Sequence, residues 1–360
     1  MTSPIRIHHL ADIVTVLPYR LGYHPDRSLV LLALDGRRLG MTARADLTTD
    51  ARAAEATVRA MLAPLQRVPA LRVLLVVYED VEGESDAVLA AALDGLEPGG
   101  SQVLDVVVVR DGCWSVPTCA EGCCPARPTP LPDPADVPAV AELVARGVSP
   151  LADRRALDRV VEPVDPDLHP WRGRPGRPRR RTRRPSGARA WAEVLGTDPP
   201  GPGEPRSPSR PVALRAVDIL ADVRFRDALV GWLAPGVLPR EAVDATVLAL
   251  LEETLPRWGG MGSWTPRAGS PEARRALLET VLALARRVPE SDGEGAAAVC
   301  SLAAQLAWAA GDGALARSAV LRARAADPGY RLALLVERLL DAGVPPPGTR
   351  EEGEDRLAAG

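Results

Sequence analysis

Leu71-Arg72-Val73-Leu74-Leu75-Val76-Val77-Tyr78 is the stretch on which the fold of this chain turns. Its apolar residues follow one another without alternation, so both faces of the pleat are apolar. Such a strand belongs in the middle of a sheet that is covered on both sides. The neighbouring segments supply the rest of that sheet. Upstream, Ser28–Leu34 is another continuous apolar run. Asp35-Gly36 then makes a turn into a second strand, Leu39–Leu47, and the pair reads as a β-hairpin. Leu10–Leu21 and the Ala-rich Asp50–Gln66 carry helical spacing, with Gly22 as a left-handed stop for the first and Pro18 inside it. Downstream, a helix over Ser85–Leu96 leads into the buried strand Val103–Val109. Asp111-Gly112 then offers a tight turn into Cys113–Val116. These elements predict an α/β (α+β) domain with a mixed sheet of about five strands and helices packed on it.

Two further helices complete this half, the second opening at Ser149-Pro150, a cap followed by a first-turn proline. The domain is expected over residues 1–161, with a cysteine-rich loop at 113–125. Between Glu162 and Arg210 prolines recur every few residues and apolar residues are few, which reads as a disordered Arg/Pro-rich linker over 162–210. Beyond it the spacing is helical throughout: Val212–Val223, Phe225–Leu233, Arg240–Leu255, Pro271–Arg287, Glu294–Ala310, Ala314–Ala326 and Arg331–Asp341, with Gly343 placed to close the last. An all-α domain is expected over 211–345 and a flexible acidic tail over 346–360. Gly311, Ala316, Val320, Ala323 and Pro328 fall at the spacings of the later part of a tetratricopeptide unit, which predicts one tetratricopeptide-like helical hairpin.

At 360 residues the chain suits two domains of ordinary size. Lysine and asparagine are absent, and Ala, Arg, Gly and Pro are abundant. The depleted residues are those with A/T-rich codons, the print of a GC-rich genome. Arginine is therefore the default cation here, and its presence alone does not argue for bidentate recognition. The N-terminus lacks a signal-peptide pattern, and no run approaches the roughly 20 apolar residues a membrane helix needs. A cytoplasmic protein with no membrane partner is expected.

Three stretches together resemble a known family. They are Leu17-Pro18-Tyr19-Arg20-Leu21-Gly22-Tyr23-His24-Pro25-Asp26-Arg27-Ser28-Leu29-Val30; Gly112-Cys113-Trp114-Ser115 followed by Cys119 and Cys123-Cys124-Pro125; and Leu306 through Tyr330 with Leu340-Asp341-Ala342-Gly343 and its prolines. They are similar to an actinobacterial family known as domain of unknown function 4192, over nearly the whole chain except the linker. The resemblance implies an actinobacterial, cytoplasmic protein and brings no activity with it. Ala126-Arg127-Pro128 departs from the family pattern, where relatives carry a glycine in the loop; proline cannot take a positive φ.

Three places offer chemistry. The first is the loop with Cys119, Cys123 and Cys124, preceded by Cys113. The spacing lacks the C-x₂-C pairs of a structural zinc site, and adjacent cysteines diverge. Structural thiols, a disulfide or redox pair, and metal binding all stay open, while Cys300 belongs to a core. The second is Trp171–Arg189, with nine arginines and no acidic residue; it contributes +9 to a chain of net charge −3 and leaves −12 elsewhere. Arg172, Arg174, Arg177, Arg179, Arg180 and Arg181 are the candidate nucleic-acid contacts, because Gly-Arg-Pro repeats resemble minor-groove peptides. A solvated linker is the simpler reading of the same residues. The third is the carboxyl end of the sheet, where ligands gather in α/β folds. Glu79 and Asp80 follow the central strand, Arg44 and Asp46 share a face of the second, and His24 precedes the first. His24, Arg44, Asp46, Asp80 and Trp114 are the candidate pocket, with loop capping and a solvated strand face as the plainer alternative.

Glycine-rich phosphate loops, nucleophile elbows and HExxH motifs are absent from the sequence. The sequence therefore favours a non-catalytic interaction or regulatory protein whose helical domain and basic linker engage a partner. That partner is expected to be a protein, with nucleic acid as the other candidate for the linker. The alternative is an enzyme or thiol-redox protein working near His24, Asp80 and the Cys119/Cys123/Cys124 loop. No cofactor is assigned.

Overall fold

The computed structural model describes residues 9–35, 38–65, 72–119, 122, 124–164, 182–201, 206–266 and 268–348. It divides into two compact units, Met1–Arg154 with Asp341–Gly343, and Arg155–Leu340 with Val344–Gly360.

The first unit is built on a six-stranded mixed sheet. Its elements run α1 (Leu10–Leu21), β1 (Ser28–Asp35), β2 (Arg38–Asp46), α2 (Ala51–Leu62), β3 (Arg72–Tyr78), α3 (Asp86–Leu96), β4 (Gln102–Arg110), β5 (Cys113–Ser115), β6 (Thr129–Pro130) and α4 (Pro138–Ala145). The strand order is β2-β1-β3-β4-β5-β6. All pairs are antiparallel except β3–β4, which α3 joins as a parallel crossover. As its composition demands, β3 is central, and Val73–Val77 are all buried. Its odd-numbered side chains join Leu29, Leu31 and the packing faces of α2 and α3, including Val58, Val88 and Ala92. Its even-numbered ones meet Val30, Leu32 and Val14 and Leu17 of α1. Asp111 and Gly112, at φ 50° and 69°, form the two-residue hairpin between β4 and β5, where Arg110 faces Cys113. Gly22, at φ 80°, ends α1 by donating its N–H to the Pro18 carbonyl.

Two departures from expectation occur here. A sixth strand, β6, exists; two residues ending in proline leave no periodicity to detect. The second of the last two helices does not open at Ser149-Pro150. Leu151 instead makes an isolated parallel bridge to Tyr23, and α5 begins at Arg154 (Arg154–Val161).

The second unit is helical: α6 (Arg184–Leu195), α7 (Arg210–Asp218), α8 (Val223–Leu233), α9 (Ala245–Thr254), α10 (Pro271–Arg286), α11 (Glu294–Ala309), α12 (Gly313–Ala326) and α13 (Arg331–Asp341), with most of α5. Its axis is α11, where every residue from Gly295 to Trp308 is buried. Small buried residues on the facing helix, Ala316, Ala319 and Ala323, let α12 lie close against it. Two aspartates cut what the sequence presents as longer helical runs. Asp222 and Asp244 adopt extended backbone and accept the first free N–H groups of α8 and α9, from Arg224 and Phe225 and from Thr246 and Val247. Arg322 of α12 fastens two helix ends. Its buried guanidinium donates to the carbonyls of Val161 at the end of α5, and of Ala285 (3.0 Å) and Val288 (2.5 Å) at the end of α10. A cation is favoured there by the exposed carbonyls and the helix dipoles.

The largest correction concerns the expected linker. Arg184–Leu195 is a helix with Pro185 in its first turn, where a missing N–H costs nothing. Ala188, Trp191, Val194 and Leu195 recur at helical spacing and are buried, and the Trp191 indole donates to the Ala216 carbonyl at 2.9 Å. Gly187 sits against Ile219; a Cβ there would come within 2.4 Å of that side chain. Residues 165–181 and 202–205 of the expected linker lie outside the described residues, as do 349–360 of the tail.

If α6 is a core element, Trp191→Ala will cost about 3–5 kcal/mol in denaturant unfolding. A loss below about 0.5 kcal/mol, the size of an ordinary surface effect, would contradict the assignment.

Candidate functional site

Because β3 and β4 run parallel and β1 runs against them, one edge of the sheet collects the ends of β2, β3 and β4 and the start of β1. Arg27, Ser28, Asp46, Tyr78, Glu79, Arg110 and Cys113 therefore lie at the same rim. The charges there are matched one against another. Glu79 is buried: one carboxylate oxygen accepts from the Ser85 amide (3.0 Å) and hydroxyl (2.5 Å), and the other from Arg110 (3.2 Å). Arg110 reaches Glu82 as well, at 3.4 Å. Glu84 accepts from Arg27 at 2.5 Å and from the Asp80 amide at 3.2 Å. These hydrogen bonds, Arg27 foremost, hold the Glu84 carboxyl below the usual carboxylate range.

The residues expected to form one pocket meet different fates. Arg44 and Asp46 do share a face, and they neutralise each other at 2.6 Å while Arg44 also donates to the Asp26 carbonyl. His24 is exposed in the loop after α1, its backbone amide bonded to the Leu151 carbonyl. Asp80 is exposed in the loop after β3. Trp114 stands on β5, half-buried against the α1-side core. It lines a cleft of about 190 Å³ with Val108, Arg110, Asp111, Cys113, Ser115 and Pro128. Arg27, Glu84, Arg110 and Ser85 are the rim residues that sequence reading passes over. Arg110 had a signal, since it ends β4 as Glu79 follows β3, and parallel neighbours end side by side.

Cys119 and Cys124 are half-buried and pack on the apolar cluster under α1. Cys123 lies outside the described residues, as do Arg172, Arg174, Arg177, Arg179, Arg180 and Arg181. Cys300 is a core thiol, and burial pushes its pKa up to about 11. Among the described residues, no group of three or more His, Cys, Asp or Glu is placed to hold a metal ion, and no helix is long and apolar enough to cross a membrane. In the helical unit, Arg240, Glu241, Val243, Ala245, Leu248, Ala249 and Glu252 line a shallow cleft of about 390 Å³.

The chain is thus an α+β protein with a helical second half and a rim of mutually paired charges. It belongs to the family described as domain of unknown function DUF4192, whose model matches residues 11–347. No curated protein and no solved structure matches the chain.

Two measurements check the rim. NMR titration will find the Glu84 carboxyl below the ordinary range in the native protein and back within it in Arg27→Ala. The pair therefore stabilises the fold above the unfolded carboxylate pKa, and that contribution is lost as pH falls through the lowered value. An unchanged Glu84 titration would contradict the pairing. Glu79→Ala leaves the Ser85 hydroxyl without its acceptor and Arg110 with Glu82 alone, and will cost about 2–3 kcal/mol; a neutral effect would contradict the clamp.

Proposed function

We propose that the protein is a non-catalytic interaction or regulatory protein, whose helical unit and arginine-rich stretch engage a partner and whose sheet unit is scaffold. The observation that supports this reading is the pairing at the rim: Glu79, Glu84 and Asp46 each already accept from an arginine. A general base needs a lone pair free for substrate, and a metal site needs carboxylates that converge on one point. Among the large apolar side chains that both units expose, Leu321 of α12 and Leu335 of α13 are half or more exposed. Exposed leucines on successive helices suit a protein partner held by apolar contact. The tetratricopeptide-like reading of α11 and α12 agrees with this, since such hairpins serve as binding scaffolds. A cytoplasmic, actinobacterial setting, which the family resemblance implies and the GC-rich composition suits, is part of the same proposal.

Crosslinking in the source cell, with mass spectrometry of the full chain, tests it. One protein will recur in crosslinks to α12 and α13. It will be lost in Leu321→Asp/Leu335→Asp and kept in His24→Ala/Asp80→Ala. Turnover of a small molecule by the wild-type chain, abolished in His24→Ala/Asp80→Ala, would instead establish the enzyme reading. If the arginine-rich stretch holds nucleic acid, affinity for a duplex will fall steeply with salt and the slope will flatten when Arg172, Arg174 and Arg177 become Gln.

A further inference from the structure

Ser28 is the register partner of Asp46 on β2 and of Tyr78 on β3, so the three side chains stand in one row on the α1 face of the sheet. Arg44 lies two residues along β2 from Asp46, on the same face, opposite Val30. Ser28 is fully buried. Its hydroxyl, the Tyr78 hydroxyl and the Arg44 Nε–H are all cut off from the surface, and none has a hydrogen-bond partner among the described residues. Orphaned polar atoms are costly, and native folds almost always answer them. Of ten such atoms among the described residues, these three share one face of the sheet in adjacent strands.

We propose that Ser28, Tyr78 and Arg44 enclose a binding site for a small neutral hydrogen-bonding molecule, water being the smallest that fits the chemistry. The site offers three donors and the lone pairs of two hydroxyls, so its occupant must accept and donate. It must also be neutral. The Arg44 charge is already answered by Asp46 at 2.6 Å, and burial raises the Tyr78 pKa and keeps its hydroxyl protonated. The site is separate from the surface invoked for a protein partner.

Thermal unfolding of Ser28→Ala, Tyr78→Phe and the double variant in the full chain tests the proposal. Both replacements keep the apolar packing, so the variants are expected to fold. With an occupant present, each single change removes a satisfied hydroxyl and lowers Tm by about 2–4 °C. Because both hydroxyls hold the same molecule, the double variant loses less than the two singles added together. A rise in Tm for either single change would show a hydroxyl that was bare and cost the fold energy. Full additivity would show that no shared occupant exists. Either result overturns the proposal. Native mass spectrometry separates the two sources of an occupant. A constant excess mass identifies a retained small molecule, and its absence together with the non-additive losses identifies exchangeable water.

Discussion

The carboxylate of Glu79 sits where three parts of the sheet unit have to meet. It follows the central strand, it accepts from the amide and hydroxyl of Ser85 just ahead of α3, and it pairs with Arg110 at the end of β4. A buried carboxylate is tolerated only when its lone pairs are occupied by strong donors, so the loop that supplies Ser85 and the strand that supplies Arg110 are fixed together. The end of β3, the entry of α3 and the end of β4 are tied together at that one group. The remaining rim charges then find partners within reach: Arg27 with Glu84, and Arg44 with Asp46.

The helical unit solves a different problem with a comparable device. Its central helix is so rich in small residues that α12 approaches closely, and this brings the buried Arg322 against the carbonyl ends of α5 and α10. There the charge is met by carbonyl oxygens and helix dipoles. The exposed surface of the unit carries apolar groups that include Val223 of α8, Leu321 of α12 and Leu335 of α13.

Continuous apolar runs made the sheet legible from residues alone: β1, β3 and β4 fall where the sequence places them, and Asp111-Gly112 declares its own hairpin. Helices with a clear apolar stripe, such as α10 and α13, were equally plain. Arg184–Leu195 was not, because arginines and prolines around it hide four apolar positions whose spacing is helical once they are isolated. Asp222 and Asp244 do not declare themselves as caps in the sequence, because apolar spacing continues across them. At the rim, the shared face of Arg44 and Asp46 could be read from period two alone. Their mutual pairing could not, nor could the clamp on Glu79, because both depend on which strands lie side by side. His24 has the right chemistry for an acid or base, but position in the sequence does not reveal that its loop faces outward.

In the function proposed above, the rim whose carboxylates pair with its own arginines serves as scaffold, and partner binding falls to the helical unit and the arginine-rich stretch. The most direct test is hydrogen exchange at the Ser85 amide, which Glu79 accepts. If the clamp is structural, that amide exchanges only with opening of the sheet, at the rate of Val76 in the middle of β3. Exchange far faster than Val76 would show a loop that opens by itself, as a substrate-gated site does, and would contradict the account.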